Sequence, residues 1–254
     1  MPEPNYNADD IVFLNTVEET HFWYTNRRHL VDTLWRDMAG QLPADPLILD
    51  LGSGNGSMVA TLRRHGRYLG IEFAPEAVAN CRAKGGVALA GDARRIPLRA
   101  DAVDAIMILD LLEHVDDDRR VLAECSRVLR PGGLLLVMVP AFQMLWTSFD
   151  LHSFHKRRYS RARLLDLLGR ARFAPIRESY LFSFLFPVLL ATTLRERLQG
   201  GQNARDRGWR RRLTPPKKGV NDLLAWLGRM EVCWMQRGRI PFGSTLVALC
   251  RNTK

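Results

Sequence analysis

Ile48-Leu49-Asp50-Leu51-Gly52-Ser53-Gly54-Asn55-Gly56 is the stretch on which the fold turns. A short apolar run holding one acid passes directly into three glycines at alternate positions. This reads as a parallel strand handing over to a helix where the backbone lies close beneath a bound nucleotide, because glycine has no Cβ to clash. A dinucleotide fingerprint needs glycine or alanine three residues after Gly54, and this chain has Ser57 there. Asp50 suits a cationic amino-acid group and would repel a pyrophosphate. The turn is expected to hold a nucleoside without phosphates.

Working outward, Glu72 ends the next apolar segment, Tyr68-Leu69-Gly70-Ile71-Glu72, 20 residues after Gly52. An acid there is placed to accept from both ribose hydroxyls. Asp92 closes a third strand in Ala90-Gly91-Asp92-Ala93, where a carboxylate can accept from an adenine amino group. The segment from Val103 to Asp110 has the apolar density of a buried strand, and Leu111-Leu112-Glu113-His114-Val115 follows it. Arg130-Pro131-Gly132-Gly133 breaks a helix ahead of a strand at 134–139.

Together these residues resemble the class I S-adenosylmethionine-dependent methyltransferases over roughly residues 20 to 180 and, more weakly, at the strand near 245–250. The resemblance implies an α/β fold: a Rossmann-like, seven-stranded, mostly parallel sheet with helices on both faces. Strands are expected at 47–51, 68–72, 87–90, 103–109, 134–139, 173–180 and 245–250, with helices at 11–40, 57–65, 75–84, 117–129 and 160–170. The implied organisation is an N-terminal helical cap (1–43), the cofactor-binding core (44–180), an insertion (181–240) and the last strand (241–254). The implied cofactor is S-adenosyl-L-methionine. It would be held by Asp50, Gly52, Ser53, Gly54 and Gly56, by Glu72 with Phe73, by Asp92 with Ala93, and by Leu109 with Asp110. Trp23 and Tyr24 would close over it, and Arg28 (or Arg27) would meet its carboxylate.

Ligands of open α/β sheets sit beyond the carboxyl ends of the strands, so the loop after the strand at 134–139 should face the acceptor. That loop, Trp146 to Tyr159, gathers Asp150, His152, His155, Lys156, Arg157 and Arg158 among aromatic residues. His155 is the candidate general base and Asp150 its orienting acid. His114 is a weaker catalytic candidate, more often structural or cofactor-adjacent in the resembled family. Trp146, Arg157, Arg158, Tyr159 and, in the insertion, Phe184 are candidate acceptor contacts. The four cysteines are far apart, without metal or redox spacing, so no metal is expected.

Charge is unevenly placed. Residues 1–150 hold 15 Lys and Arg against 21 Asp and Glu, whereas residues 151–254 hold 22 against 6. The basic half calls for an anionic partner: a phosphorylated substrate, a lipid headgroup layer or nucleic acid. The insertion orders an apolar aromatic segment (181–190), a basic tract (Arg195 to Lys218, nine Lys and Arg against two acids) and apolar residues at helical spacing from Val220 to Trp234. The apolar segment is shorter than the about 20 residues that cross a bilayer, and the acidic residues near the N-terminus exclude a basic leader. A cytoplasmic enzyme is therefore expected, with the insertion either packed on the domain under its amphipathic helix, or serving as a substrate lid or as an element that rests on an anionic membrane. Its acceptor would be small, apolar or prenyl-like and in part anionic. Similar terminal patterns occur in methyltransferases of bacterial secondary metabolism and glycolipid pathways. RNA methylation and a non-catalytic cofactor-binding partner subunit are the alternatives. Against the former, no recognisable RNA-binding module is appended. A homo-oligomer is compatible with the sequence.

Overall fold

The computed structural model describes residues 8–198 and 214–254. Seven strands form one sheet in the order β3-β2-β1-β4-β5-β7-β6. Strands β1 (Leu47–Leu51), β2 (Arg67–Glu72), β3 (Ala88–Ala90), β4 (Val103–Leu109) and β5 (Leu129–Pro140) run parallel, while β7 (Thr245–Asn252) lies antiparallel between β5 and β6 (Phe173–Leu181). The order reverses at β1, which opens a crevice at the carboxyl ends of β1 and β4 where such sheets bind ligands. The central β4 is buried along its whole length, as a parallel strand covered on both faces must be. Helix α2 (Phe22–Met38) meets α3 (Val59–Leu62) and α9 (Lys218–Met235), while α5 (Asp118–Val128) meets α7 (Arg161–Arg170).

Three expectations are corrected in detail. The helix read over 11–40 is two, α1 (Ala8–Val17) and α2, because His21 takes an extended conformation and accepts from the Trp23 N–H at 3.1 Å as an N-cap. The helix read at 57–65 shrinks to α3, one turn long. Strand β5 begins at Leu129, before the Pro-Gly-Gly turn. Val103 pairs with Leu129 and Ala105 with Leu134, so Pro131-Gly132-Gly133 loops out within the strand rather than ending a helix ahead of it.

Among the described residues between β6 and β7, α9 packs on α2, whereas residues 186–198 pack on residues 143–148. Helix α8 (Phe186–Leu198) begins at the carboxyl end of β6, and residues 199–213 of the basic tract lie outside the described residues. Helix α9 is held by three polar clamps. The Asn221 side chain accepts from the Phe22 N–H at 2.9 Å and donates to the Thr20 carbonyl at 2.9 Å. Asn26 donates to the Leu224 carbonyl at 3.2 Å. The Glu231 carboxylate accepts from the N–H groups of Phe182 and Ser183 at 2.6 and 2.8 Å. Its inward face is Ala225, Gly228, Val232 and Met235. Of the apolar residues that made the helix legible, Leu224 and Leu227 are half-buried, whereas Val220, Leu223, Met230 and Trp234, with Trp226 beside them, are 47–63% exposed on the other side. A helix apolar on two faces satisfies only one of them here. No helix among the described residues is long and apolar enough to cross a membrane.

Candidate active site

Two adjoining cavities, about 340 and 380 Å³, open at the crevice and share Leu14, Glu18, Gly52, Gly54, Asp110 and His114. The first is walled by the glycine turn, Glu72, Phe73, Asp92 and Ala93. Gly52, Gly54 and Gly56 all have positive φ (79°, 50° and 76°), a conformation L side chains rarely adopt. Around Gly54 there is open space, so any side chain there would project into the cavity. The Glu72 carboxylate accepts from Gly54 N–H at 2.9 Å, Phe73 N–H at 2.7 Å and Ala74 N–H at 3.1 Å. It thus ties the glycine turn to the start of α4 (Pro75–Ala83). A carboxylate offers about four lone-pair sites, so capacity remains for a hydroxyl donor. Asp92 is bound by its neighbour Arg94, whose hydrogen bonds hold its carboxyl below the usual range. A nucleoside without phosphates fits this wall: glycine backbone beneath, carboxylates at the ends of β2 and β3, and apolar Ile71, Phe73 and Leu111 between.

Asp50 does not line either cavity. It is buried beneath the turn, where its carboxylate accepts from the Tyr68 hydroxyl at 3.1 Å, and burial pushes its pKa up to about 7. Gly56 is likewise behind the wall, where a Cβ would stand 2.8 Å from the Cys81 backbone. Of the paired arginines, Arg27 reaches the cavity and meets Asp110 at 3.3 Å, while Arg28 is spent on the carbonyls of Glu18 and Glu19. Arg27 follows Trp23 by four residues and Tyr24 by three, and all three line the second cavity; that helical spacing is the signal that separates it from Arg28. Asp110 itself has φ 52°, strained for a residue that is not glycine, at the junction of the two cavities.

The second cavity is aromatic and apolar, walled by Phe22, Trp23, Tyr24, Phe149, Leu185 and Leu189 among others. Leu185 and Leu189 come from the start of the insertion, which the sequence reading represented by Phe184; Phe184 instead lies edge-on to Phe182. In the polar part of the wall stand His114, His155, Glu113 and Arg158. Asp150 is fully buried behind them and accepts from three partners: His155 Nδ1 at 2.8 Å, Arg158 Nε and Nη2 at 2.8 and 3.0 Å, and the Thr147 N–H at 2.8 Å. Burial pushes the Asp150 carboxyl up, but the His155 hydrogen bond and the Arg158 charge outweigh it and hold it below the usual carboxylate range. The Asp150–His155 pairing fixes which imidazole nitrogen is turned inward. Burial, and then the neighbouring Asp110 charge, drive the Glu113 carboxyl well above its ordinary value, and burial lowers His114 to about 3.

Several candidate acceptor contacts are structural instead. Tyr159 is buried and donates to the Leu112 carbonyl at 3.1 Å and Asp118 at 2.9 Å. Arg157 pairs with Asp118 at 3.0 Å and the Asp116 carbonyl at 3.0 Å. Trp146 does not line either cavity. The loop's density of charge thus serves partly to fasten it: Asp118 at the first turn of α5 gathers Arg157, Tyr159 and Arg163.

This sheet order, glycine turn and row of strand-end acids are those of the class I S-adenosylmethionine-dependent methyltransferase fold. Residues 49–137 match the family described as a methyltransferase domain, and the cofactor of that family and fold is S-adenosyl-L-methionine. A probable S-adenosylmethionine-dependent methyltransferase of Mycolicibacterium smegmatis is 31% identical over 160 residues, 61% of this chain and 60% of that protein. A demethylmenaquinone methyltransferase of Thermotoga maritima is 32% identical over 116 residues, 42% of this chain and 51% of that one. The chain thus spans less than two thirds of either relative. Among solved structures, a methyltransferase in complex with the Trm112 activator of Haloferax volcanii shares the fold at 19% identity, with a TM-score of 0.59 over 95% of this chain and 98% of its own.

Proposed function

We propose that this protein transfers a methyl group from S-adenosyl-L-methionine to a small acceptor with an apolar, lipid- or prenyl-like body. The observation that carries the reading is the aromatic second cavity, which joins the nucleoside-shaped one at Gly52, Gly54, Asp110 and His114 and has His155 in its wall. When bound, the cofactor supplies an electrophilic methyl group on a sulfonium. The chain's own residues then have three tasks. The glycine turn, Glu72 and Asp92 hold the nucleoside, with Arg27 and Asp110 at the junction. Trp23, Phe149, Leu185 and Leu189 surround the acceptor body and exclude water, which favours a single approach of acceptor to methyl. His155, oriented by Asp150 through Nδ1, takes a proton at Nε2 from an acceptor hydroxyl as the new bond forms. A carbon acceptor with an alkene would need no such base, and the aromatic faces would stabilise positive charge on it.

The exposed side of the insertion supports a membrane-borne acceptor. Leu223, Trp226, Met230 and Trp234 face outward on α9, and Lys217, Lys218, Arg229 and Arg237 border them. Helix α8 carries cavity-lining Leu189 and outward-facing Val188, so one helix touches both the acceptor lobe and the surface. One relative acts, by its name, on demethylmenaquinone, which is a small molecule and not a nucleic acid. The test is to incubate the protein with methyl-labelled cofactor and, separately, organic-phase and RNA fractions of cells. Label entering the organic phase supports the proposal. Label entering RNA would replace it with the reading that the basic half tracks phosphates.

A further inference from the structure

One group in the acceptor wall has no task in this account. Glu113 is wholly buried, and among the described residues neither of its carboxylate oxygens has a hydrogen-bond partner. A buried carboxylate without partners is costly unless a cation or donor joins it. Beside it, donor atoms of Glu113, His114 and His155 all lie within 4.8 Å of one another. His155 is held at Nδ1 by Asp150 at 2.8 Å, and its Nε2 stands 4.0 Å from Glu113 Oε1. The His114 ring lies at 82° to the His155 ring with centroids 4.8 Å apart, and His114 donates to the Phe154 carbonyl. Two imidazoles, each fixed by an acceptor, with one carboxylate, form the facial donor set of many transition-metal centres.

We propose that Glu113, His114 and His155 bind one divalent transition-metal ion at the wall of the acceptor cavity. Mixed imidazole and carboxylate donors favour zinc, ferrous iron, cobalt or manganese over magnesium or calcium, which prefer all-oxygen shells. Facial donors bonded at about 2.0–2.2 Å stand roughly 2.8–3.6 Å apart, so the widest separation must close by about 1–2 Å. Rotation of the Glu113 and His114 side chains would have to supply that closure. The remaining coordination positions face the cavity, where they would take water or an acceptor oxygen. Bound there, the ion would lower the pKa of an acceptor hydroxyl, whose proton would pass to water in the cavity; in that metal-bound form His155 is a ligand, and it acts as the proton acceptor only in the metal-free enzyme. This last consequence rests on the methyl-transfer reading; ion binding itself does not. No sequence spacing announces the site, because two donors are adjacent and the third arrives 41 residues later from another loop.

The test uses the full chain, stripped with chelator and titrated with Zn²⁺ by calorimetry and with Co²⁺ by visible absorption. The expected result is one ion per chain, with Co²⁺ bands of a low-symmetry nitrogen–oxygen site. Glu113→Gln and His155→Ala should each weaken binding by 100-fold or more, and Asp150→Asn by about 10–100-fold through loss of the outer-shell hydrogen bond. Circular dichroism and melting curves establish that each variant is folded. Glu113→Gln keeps the shape and removes the carboxylate ligand, so it decides the matter if His155→Ala does not fold. Absence of saturable binding would overturn the proposal. So would binding unchanged in Glu113→Gln, which would place the ion elsewhere, for instance at exposed Cys233. Neither outcome depends on finding the methyl acceptor.

Discussion

Replacing Asp50 by Asn should change how stability depends on pH. Burial raises the Asp50 pKa from 3.8 to about 7 in the native state, so between those values the folded protein holds a proton that the unfolded chain has released. Stability therefore falls as pH rises through this window, by about 1.4 kcal/mol per pH unit. Across the window the loss sums to on the order of 4 kcal/mol. Buried His21 and His114, lowered to about 4 and about 3 by burial, act in the opposite direction below pH 6.5. The comparison must accordingly be between native protein and variant, in which those contributions cancel. Asn can still accept the Tyr68 hydroxyl that now bonds Asp50 at 3.1 Å. Urea unfolding without cofactor at pH 4, 5.5, 7 and 8 should show Asp50→Asn gaining on the native protein by several kcal/mol from the lowest pH to the highest. A difference that stays flat from pH 4 to 8 would refute the reasoning, since the carboxyl would then titrate alike in both states. If the cofactor's ammonium sits near Asp50, its binding should tighten with pH in the native protein and lose that dependence in the variant.

Three further outcomes follow from the geometry. His155→Ala should lower turnover by roughly 10²–10⁴-fold while leaving cofactor affinity unchanged, as read by single-turnover kinetics and calorimetry; full activity would favour carbon methylation. Gly228→Ala should destabilise the protein by about 1–3 kcal/mol despite its better helix propensity, because the new Cβ would lie 2.0 Å from buried Asn26 Nδ2; Asn26→Ala in the same chain should recover much of the loss in denaturant titrations. Leu223→Glu with Trp226→Glu, both on the exposed face of α9, should abolish flotation with anionic liposomes at low salt without altering the melting temperature.

The sheet was legible because its signals are local. Ile48 to Gly56 contains strand, acid and turn within nine residues, and buried β4 admits little but apolar side chains. The pairing of Asp150 with His155 was also within reach, because both sit in one loop at a strand's carboxyl end. What the sequence could not separate was which charged neighbour faces inward. Arg157 and Arg158 are adjacent, yet one fastens the loop to Asp118 and the other holds Asp150. Tyr159 looked like an acceptor contact and is a buried strut. On α9, apolar residues on both faces made the helix clear and its inward side ambiguous; the choice went to Gly228, whose lack of a side chain lets Asn26 approach. Glu113 was hidden for another reason. Its significance lies in having no partner, which only a packed structure reveals.

The position of β7 bears on how the chain is made. This strand enters between β5 and β6, pairing Leu134–Pro140 on one side and Phe173–Leu181 on the other. Until Thr245–Asn252 has left the ribosome, both of those strands, the wholly apolar end of β5 above all, present open edges, and open edges invite pairing with other chains. Contacts spanning more than a hundred residues also form slowly. During synthesis the sheet must therefore wait, half-built, while the whole segment between β6 and β7 is translated. In that interval Leu134 to Val139 is the stretch most in need of a chaperone, and any slowing of translation across the arginine-rich tract would lengthen the exposure.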